Sequence, residues 1–190
     1  AGFGISDSLK DIANTQFEDI MKYHLKIELD EEAEFDSILE GFLTDSNNVE
    51  SYMRIYSSDG KAKAGKESFL LTIIIPEDEA ELNKFIDLRE RRSQKAITIN
   101  NDSVIMTEKL ASTLNISKGD VFSLENSEGK TAQAILTDTC ENYAGSYVYL
   151  SKTAYAKYFN YQPKANTILA KSNLLEGIAQ DEAIAEILAS

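Results

Sequence analysis

The sequence is poor in the residues that staple a fold, break a chain or carry most side-chain chemistry. Its 190 residues include one cysteine, one histidine and two prolines. A single cysteine forms no internal disulfide, and it leaves the redox compartment open, because cytosolic proteins and exported domains without cystines both fit. Two prolines and nine glycines argue against long linkers. The only histidine, His24, falls on the polar side of an alternating stretch with no ligand cluster around it, which suits a surface residue. Cys140 lies far along the chain from His24, so a thiol nucleophile there lacks the base it would need. Basic residues are outnumbered 19 to 32 by acids, for a net charge of −13. Such a surface repels nucleic acid and anionic lipid headgroups, and both are excluded as partners. No apolar run approaches the ~20 residues of a membrane helix. No signal-peptide pattern is present. Phosphate loops, GxGxxG, GxSxG, HExxH and CxxC are all missing, so no cofactor, metal or catalytic set is expected, and any ATP that drives this system binds another chain. No internal repeat or low-complexity segment is evident.

What is present is ordinary for a globular chain: 43% hydrophobic and 27% charged. A chain of this size buries roughly 70% of the surface its unfolded form exposes, enough for one domain or two small ones without a staple. Leu9, Ile12, Ala13, Phe17, Ile20 and Met21 recur at helical spacing after a capping Ser6 or Asp7, which predicts an amphipathic helix. Tyr23, Leu25, Ile27 and Leu29 alternate with polar residues and predict a half-buried strand. A helix over Ala33–Leu43 follows, then strands over Val49–Tyr56 and Ser68–Ile75 joined by a loop over Ser57–Lys66. This order is half of a ferredoxin-like split β-α-β unit. Pro76 with Glu77, Asp78 and Glu79 reads as a helix start, and Ala96–Ile99 as a strand. Near the end, Ser151 caps a helix through Phe159, Thr167–Ala170 is a strand, and Asp181 caps a last helix. The split unit wants one more strand after that helix, so the natural chain is expected to continue.

The stretch Asp102–Leu150 carries the most information. Val104, Ile105 and Met106 form an apolar run fit for a buried strand. Thr107 is a plausible N-cap with Glu108 in the first turn, and Leu110, Ala111 and Leu114 line one face of a two-turn helix. Lys118-Gly119-Asp120 is a turn, Val121–Leu124 a strand, Asn126–Lys130 a hairpin loop, and Thr131–Thr139 pairs back. The pattern E-x-L-A-x-x-L-x-I-x-x-G-D-x-F-x-L, Glu108 to Leu124, resembles the extracellular domain of FtsX-like and MacB-like ABC transporter permeases. ENYAGSYVYL, Glu141–Leu150, and the opening GFGISDS...QFEDIMKY, Gly2–Tyr23, resemble segments of the Gram-positive members. His24 and Cys140 depart from that pattern.

The resemblance implies an α+β fold. A porter-like, ferredoxin-like split β-α-β subdomain (residues 1–75 with 165–190) would hold an inserted small α+β subdomain (76–164), as in MacB-like periplasmic core domains. It implies a segment on the extracellular face of the plasma membrane, with a transmembrane helix ending just before Gly2 and another beyond Ser190. It also implies a noncatalytic role. The domain would couple ATP hydrolysis in a partner ABC ATPase, reached through the membrane part and shared with a second permease protomer, to an extracytoplasmic task. That task could be peptide or lipoprotein export, an antimicrobial peptide response, or control of a cell-wall hydrolase. The rival readings are a free-standing exported peptide- or protein-binding domain and, more distantly, a hydrolase using carboxylates. The first helix then either packs on the core or continues a membrane helix outward.

Two clusters are candidates for partner binding. Six tyrosines crowd one segment: Tyr143, Tyr147, Tyr149, Tyr155, Tyr158 and Tyr161. Tyr is enriched at interfaces. Tyr147 and Tyr149 share a strand face and are expected to pack, leaving Tyr143, Tyr155, Tyr158 and Tyr161 as the patch. Arg89, Arg91 and Arg92, with Lys95, form a basic cluster that is either a partner contact or a solvated turn. The acid run Glu28–Asp45 lacks EF-hand spacing and reads as a solvated face.

Overall fold

The computed structural model describes residues 9–14, 19–29, 37–142 and 144–174, with Glu182 and Ala185 beyond them. The fold is α+β, built on one mixed sheet of ten strands. Its central member is β3, Val49–Lys63, fifteen residues long. β1 (Leu9–Asn14) pairs with β2 (Leu25–Leu29), β2 with β10 (Thr167–Ser172), and β10 with β3, all antiparallel. β4 (Ser68–Pro76) returns along β3 as a long hairpin. Beyond it lie β9 (Tyr147–Leu150), parallel to β4, then β5 (Val104–Thr107) and β8 (Asp138–Cys140). β6 (Val121–Glu125) pairs with the end of β3 and with β7 (Thr131–Ile135). The helices described over their whole length are α1 (Ser37–Thr44), α2 (Glu108–Leu114) and α3 (Lys152–Phe159).

Side-chain alternation divides the core into three clusters. One lies at the β2–β10 end, where Leu25, Ile27, Leu39, Leu43, Val49 and Ile168 meet under α1. A second gathers Met53, Ile55, Phe85, Ile86, Ile105 and Tyr149. The third packs α2 and α3 on the β-sheet through Ile73, Leu110, Leu114, Phe122, Val148 and Tyr155. β3 contributes to all three, through Val49, through Met53 and Ile55, and through Ala62.

The strand–helix–turn–hairpin order of the central stretch is observed. β5 runs into α2 at Thr107, whose backbone is extended, although its side chain makes no capping hydrogen bond. Gly119 has φ of 95°, the left-handed conformation that glycine adopts at no steric cost. Ser151 caps α3, its Oγ accepting from the Ala154 N–H at 2.9 Å.

Five local expectations are corrected. Leu9–Asn14 is a strand on the edge of β2, not part of a helix running to Met21; interstrand hydrogen bonds there outweigh a helical period, which is a weak prior. Of the rest of that expected helix, residues up to 8 and 15–18 lie outside the described residues, and Met21 makes an isolated antiparallel bridge to Ile86. The expected loop over Ser57–Lys66 is mostly strand, because exposed Lys61 and Lys63 alternate with buried Gly60 and Ala62, a two-residue period hidden by small side chains. Pro76 closes β4 instead of opening a helix; Asp78 caps a 3₁₀ helix over Glu79–Lys84. Ala96–Ile99 makes only an isolated bridge, Arg89 to Ala96. Thr131–Thr139 breaks at buried Leu136, so β8 leaves the hairpin and runs parallel to β5. The helix expected after Asp181 lies outside the described residues, apart from Glu182 and Ala185.

Candidate functional site: a trough along an interrupted strand edge

β3 presents two edges. One is covered by β4 from Ile55 to Lys63. The other is covered by β10 from Val49 to Ile55, and by β6 only from Lys61 to Lys63. Between them, at residues 56–60, no strand pairs with that edge among the described residues. The sheet splits there because β6 must diverge into its hairpin turn. Gly60 marks the crossing: a Cβ on it would stand 2.9 Å from the Glu125 carbonyl oxygen and 2.9 Å from Ile73 Cδ1.

Asn166 fills the first position of the gap with a side chain in place of a strand. Its Oδ1 accepts from the Ser57 N–H at 2.9 Å, and its Nδ2 donates to the Ser57 carbonyl at 2.9 Å. The Asn166 backbone N–H donates to the Ile55 carbonyl at 3.0 Å, and its carbonyl accepts from the Leu29 N–H at 2.8 Å. Asn166 thus ties β2, β3 and β10 together at one point.

Beyond this plug the surface is concave. A cavity of about 790 Å³ is lined by Ser57, Ser58 and Asp59 of β3, by Glu128, and by the segment 161–164. A second, of about 630 Å³, adjoins it, lined by Arg54, Glu77, Lys152 and Lys164 with apolar walls from Ile75, Pro76 and Ile168. Leu29, Tyr56, Gln162, Pro163, Lys164 and Thr167 line both, so the two form one trough. The Ser58 hydroxyl is buried there without a hydrogen-bond partner among the described residues.

No family model and no curated protein matches the sequence. Among solved structures the chain is similar to the periplasmic region of MacB from Actinobacillus actinomycetemcomitans. That pair is 11% identical with a TM-score of 0.44, covering 77% of this chain and 68% of the other. It is also similar to the extracellular domain of the noncanonic ABC-type transporter YknZ from Gram-positive bacteria, at 14% identity and a TM-score of 0.46, covering 81% and 82%.

The tyrosine patch divides on inspection. Tyr155, expected at the surface, is fully buried, so it is a core residue; α3 turns it inward beside Phe159. Its hydroxyl accepts from Asn126 Nδ2 at 3.3 Å and lies 3.4 Å from the Tyr161 hydroxyl. Burial pushes the phenol pKa of both Tyr155 and Tyr161 upward, so both stay neutral. Tyr158 and Tyr161 are half-buried. The Tyr158 hydroxyl accepts from the Ile135 N–H at 3.2 Å, covering part of the β7 edge, and Tyr161 walls the trough. Tyr143 lies outside the described residues. Tyr147 and Tyr149 stack with centroids 5.9 Å apart, Tyr149 being fully buried.

The arginine cluster divides as well. Arg89 is no free contact: Nε donates to Glu141 at 2.7 Å and Nη1 to Asp87 at 2.9 Å, with Glu141 itself buried. The hydrogen bond to Glu141 raises the Arg89 pKa against the cost of its burial. Arg91 Nε is shared between both oxygens of Glu108. Arg92 is exposed and makes no ion pair among the described residues. His24 Nδ1 accepts from the Ser172 N–H at 3.0 Å, tying β10 to the start of β2. Cys140 is buried, and burial pushes its thiol pKa up to about 12, which removes the thiolate at neutral pH.

Sequence reasoning passed over Arg54, Lys152, Lys164 and Asn166. They stand on three separate segments, and no spacing along the chain signals that β10 brings them together.

Proposed function

We propose that this chain is a noncatalytic extracellular domain of an ABC transporter permease. It would couple ATP hydrolysis by a partner ATPase to a task outside the membrane: peptide or lipoprotein export, an antimicrobial peptide response, or control of a cell-wall hydrolase. The observation that supports this best is the single strand β3, which enters all three core clusters. Close-packed cores have low compressibility, so a displacement at one end of β3 is carried to the other rather than absorbed. A lever needs that property, and it needs no reactive group. The motif on which the family resemblance rests, Glu108–Leu124, supports the reading too, since it folds as helix, glycine turn and strand around one cluster.

On this reading the ATPase is reached through membrane helices of the same permease, a second protomer stands beside it, and the domain lies on the extracellular face of the plasma membrane. Residues 1–75 with 165–190 would be the porter-like α+β subdomain and 76–164 the inserted one. The pairing of β10 with both β2 and β3 favours that division. A free-standing exported peptide-binding domain is the second reading, favoured by the trough. The deciding test is the intact permease reconstituted with its ATPase. Removing this domain should preserve ATP hydrolysis while abolishing the extracytoplasmic task. A parent reading frame without apolar helices of ~20 residues on either side would refute the permease reading.

A further inference from the structure

We infer that the trough is a binding site for an extended peptide segment bearing acidic side chains. The first ground is charge. The chain carries −13 overall, yet among the described residues the half of the trough between β10 and α3 is lined by Arg54, Lys152 and Lys164 and by one acid, Glu77, with the Glu79 carboxylate accepting from the Lys152 N–H at its rim. Lys152 and Lys164 make no ion pair among the described residues and are exposed. A cationic recess on an acidic surface concentrates field lines and favours an anionic group.

The second ground is the backbone. Alternate residues of a strand turn their N–H and C=O groups to the same side. Both Ser57 groups face the gap and meet Asn166, so those of Asp59, two residues on, face the same gap. A segment laid beside Asp59 would add a short strand between the plug and β6, the mode by which peptides join an open sheet edge.

The third ground is the walls. Leu29, Ile75, Pro76, Pro163 and Ile168 are apolar and suit side chains of an extended peptide better than a free inorganic anion. The site requires neither a membrane nor an ATPase, so its test is separate from that of the permease reading.

The experiment uses the 190-residue chain labelled with ¹⁵N, titrated with Ala-Val-Thr-Val-Ala-Glu-Glu-amide. The comparison peptides are the same sequence ending in Gln-Gln-amide and in Lys-Lys-amide; inorganic phosphate is a further probe. The acidic peptide should shift the amides of residues 57–59 and 161–166, and bind about tenfold more tightly than the Gln-Gln-amide peptide. Its affinity should fall with added salt. The double variant Lys152→Glu/Lys164→Glu should melt like the parent and lose that preference. Tyr56→Ala, which removes a wall but no charge, should weaken all three peptides alike. Equal affinity for the acidic and neutral peptides, shifts elsewhere on the surface, no binding, or binding of phosphate as tightly as the acidic peptide would each overturn the assignment.

Discussion

Replacing Asn166 by alanine tests whether one side chain holds the sheet closed where β10 and β6 part. Asn166 supplies an acceptor and a donor to Ser57, each at 2.9 Å, and an acceptor to the Thr167 hydroxyl at 3.0 Å. The substitution keeps the backbone bonds to Ile55 and Leu29, so β10 should stay in register. Each lost hydrogen bond is worth about 0.5–1.5 kcal/mol net, and a stranded buried group costs about 1–3 kcal/mol. Ser57 is half-buried and opens toward the trough, so water can satisfy part of what Asn166 leaves. The expected loss is therefore about 2 kcal/mol, nearer two ordinary hydrogen bonds than two orphaned groups. For a chain of this size each kcal/mol lowers Tm by about 2–4 °C, so Asn166→Ala should melt roughly 4–8 °C below the parent. Urea unfolding should show a lower midpoint with an unchanged slope, because the native fold and its buried area are retained. Amide exchange should quicken at Ser57 before it quickens at Ile55. A variant melting within 1 °C of the parent would refute the view that Asn166 closes the gap.

Four further outcomes are expected. Arg89→Met alone should destabilise by about 3 kcal/mol, because it takes the cation from the buried Glu141 carboxylate and leaves it the neutral Gln94 Nε2 donor, and the double change with Glu141→Leu should recover much of that in chemical unfolding. Gly60→Ala should cost about 1–3 kcal/mol, since the new methyl meets the Glu125 carbonyl and forces the β3–β6 crossing apart. Cys140 should resist alkylation at pH 8 in the native state and react on unfolding, its thiol lying at about 12 when folded against 9.0 otherwise; rapid native labelling would contradict its burial. Glu90 is held at about 2 rather than 4.5 by the Ser93 hydroxyl and the N–H groups of Arg92 and Ser93. A depressed acid stabilises above its unfolded value, so this contribution is complete above about pH 4.5 and is lost as pH falls toward 2; Glu90→Gln should flatten the parent's loss of Tm across that window.

The parts legible in the sequence were those where local chemistry and tertiary context agree. Val104–Met106, the Gly119 turn and the Ser151 cap each have one favourable conformation, and the fold uses it. The parts that were not legible are decided by pairing across the chain. Leu9–Asn14 carries a helical period, but β2 lies beside it and its backbone pairs with that strand instead, a tertiary context that overrides a weak local preference. The tyrosines misled for a related reason. Tyr155 and Tyr158 are neighbours on one helix, yet α3 lies on the sheet so that one is core and the other meets β7. Composition alone gives both the same affinity for an interface.

The trough was illegible for a deeper reason: it is made where a regular pattern stops. A strand is recognised by its partners' alternation, and at residues 56–60 the β10–β6 edge of β3 loses its strand partners among the described residues. Its cations come from β2, from β3, from the first residue of α3 and from the connection to β10, four places that share no period. What brings them together is the return of β10 between β2 and β3, which sets Asn166 against Ser57. That return also fixes the consequence. A peptide laid in the gap would touch β3, β10 and the α3–β10 connection together, so binding there would stiffen the junction between the β2–β10 end and the rest of the sheet. If this domain is a lever, occupancy of the trough changes its stiffness, and at equal peptide concentration below saturation amide exchange along β10 should slow more with the acidic peptide than with the neutral one.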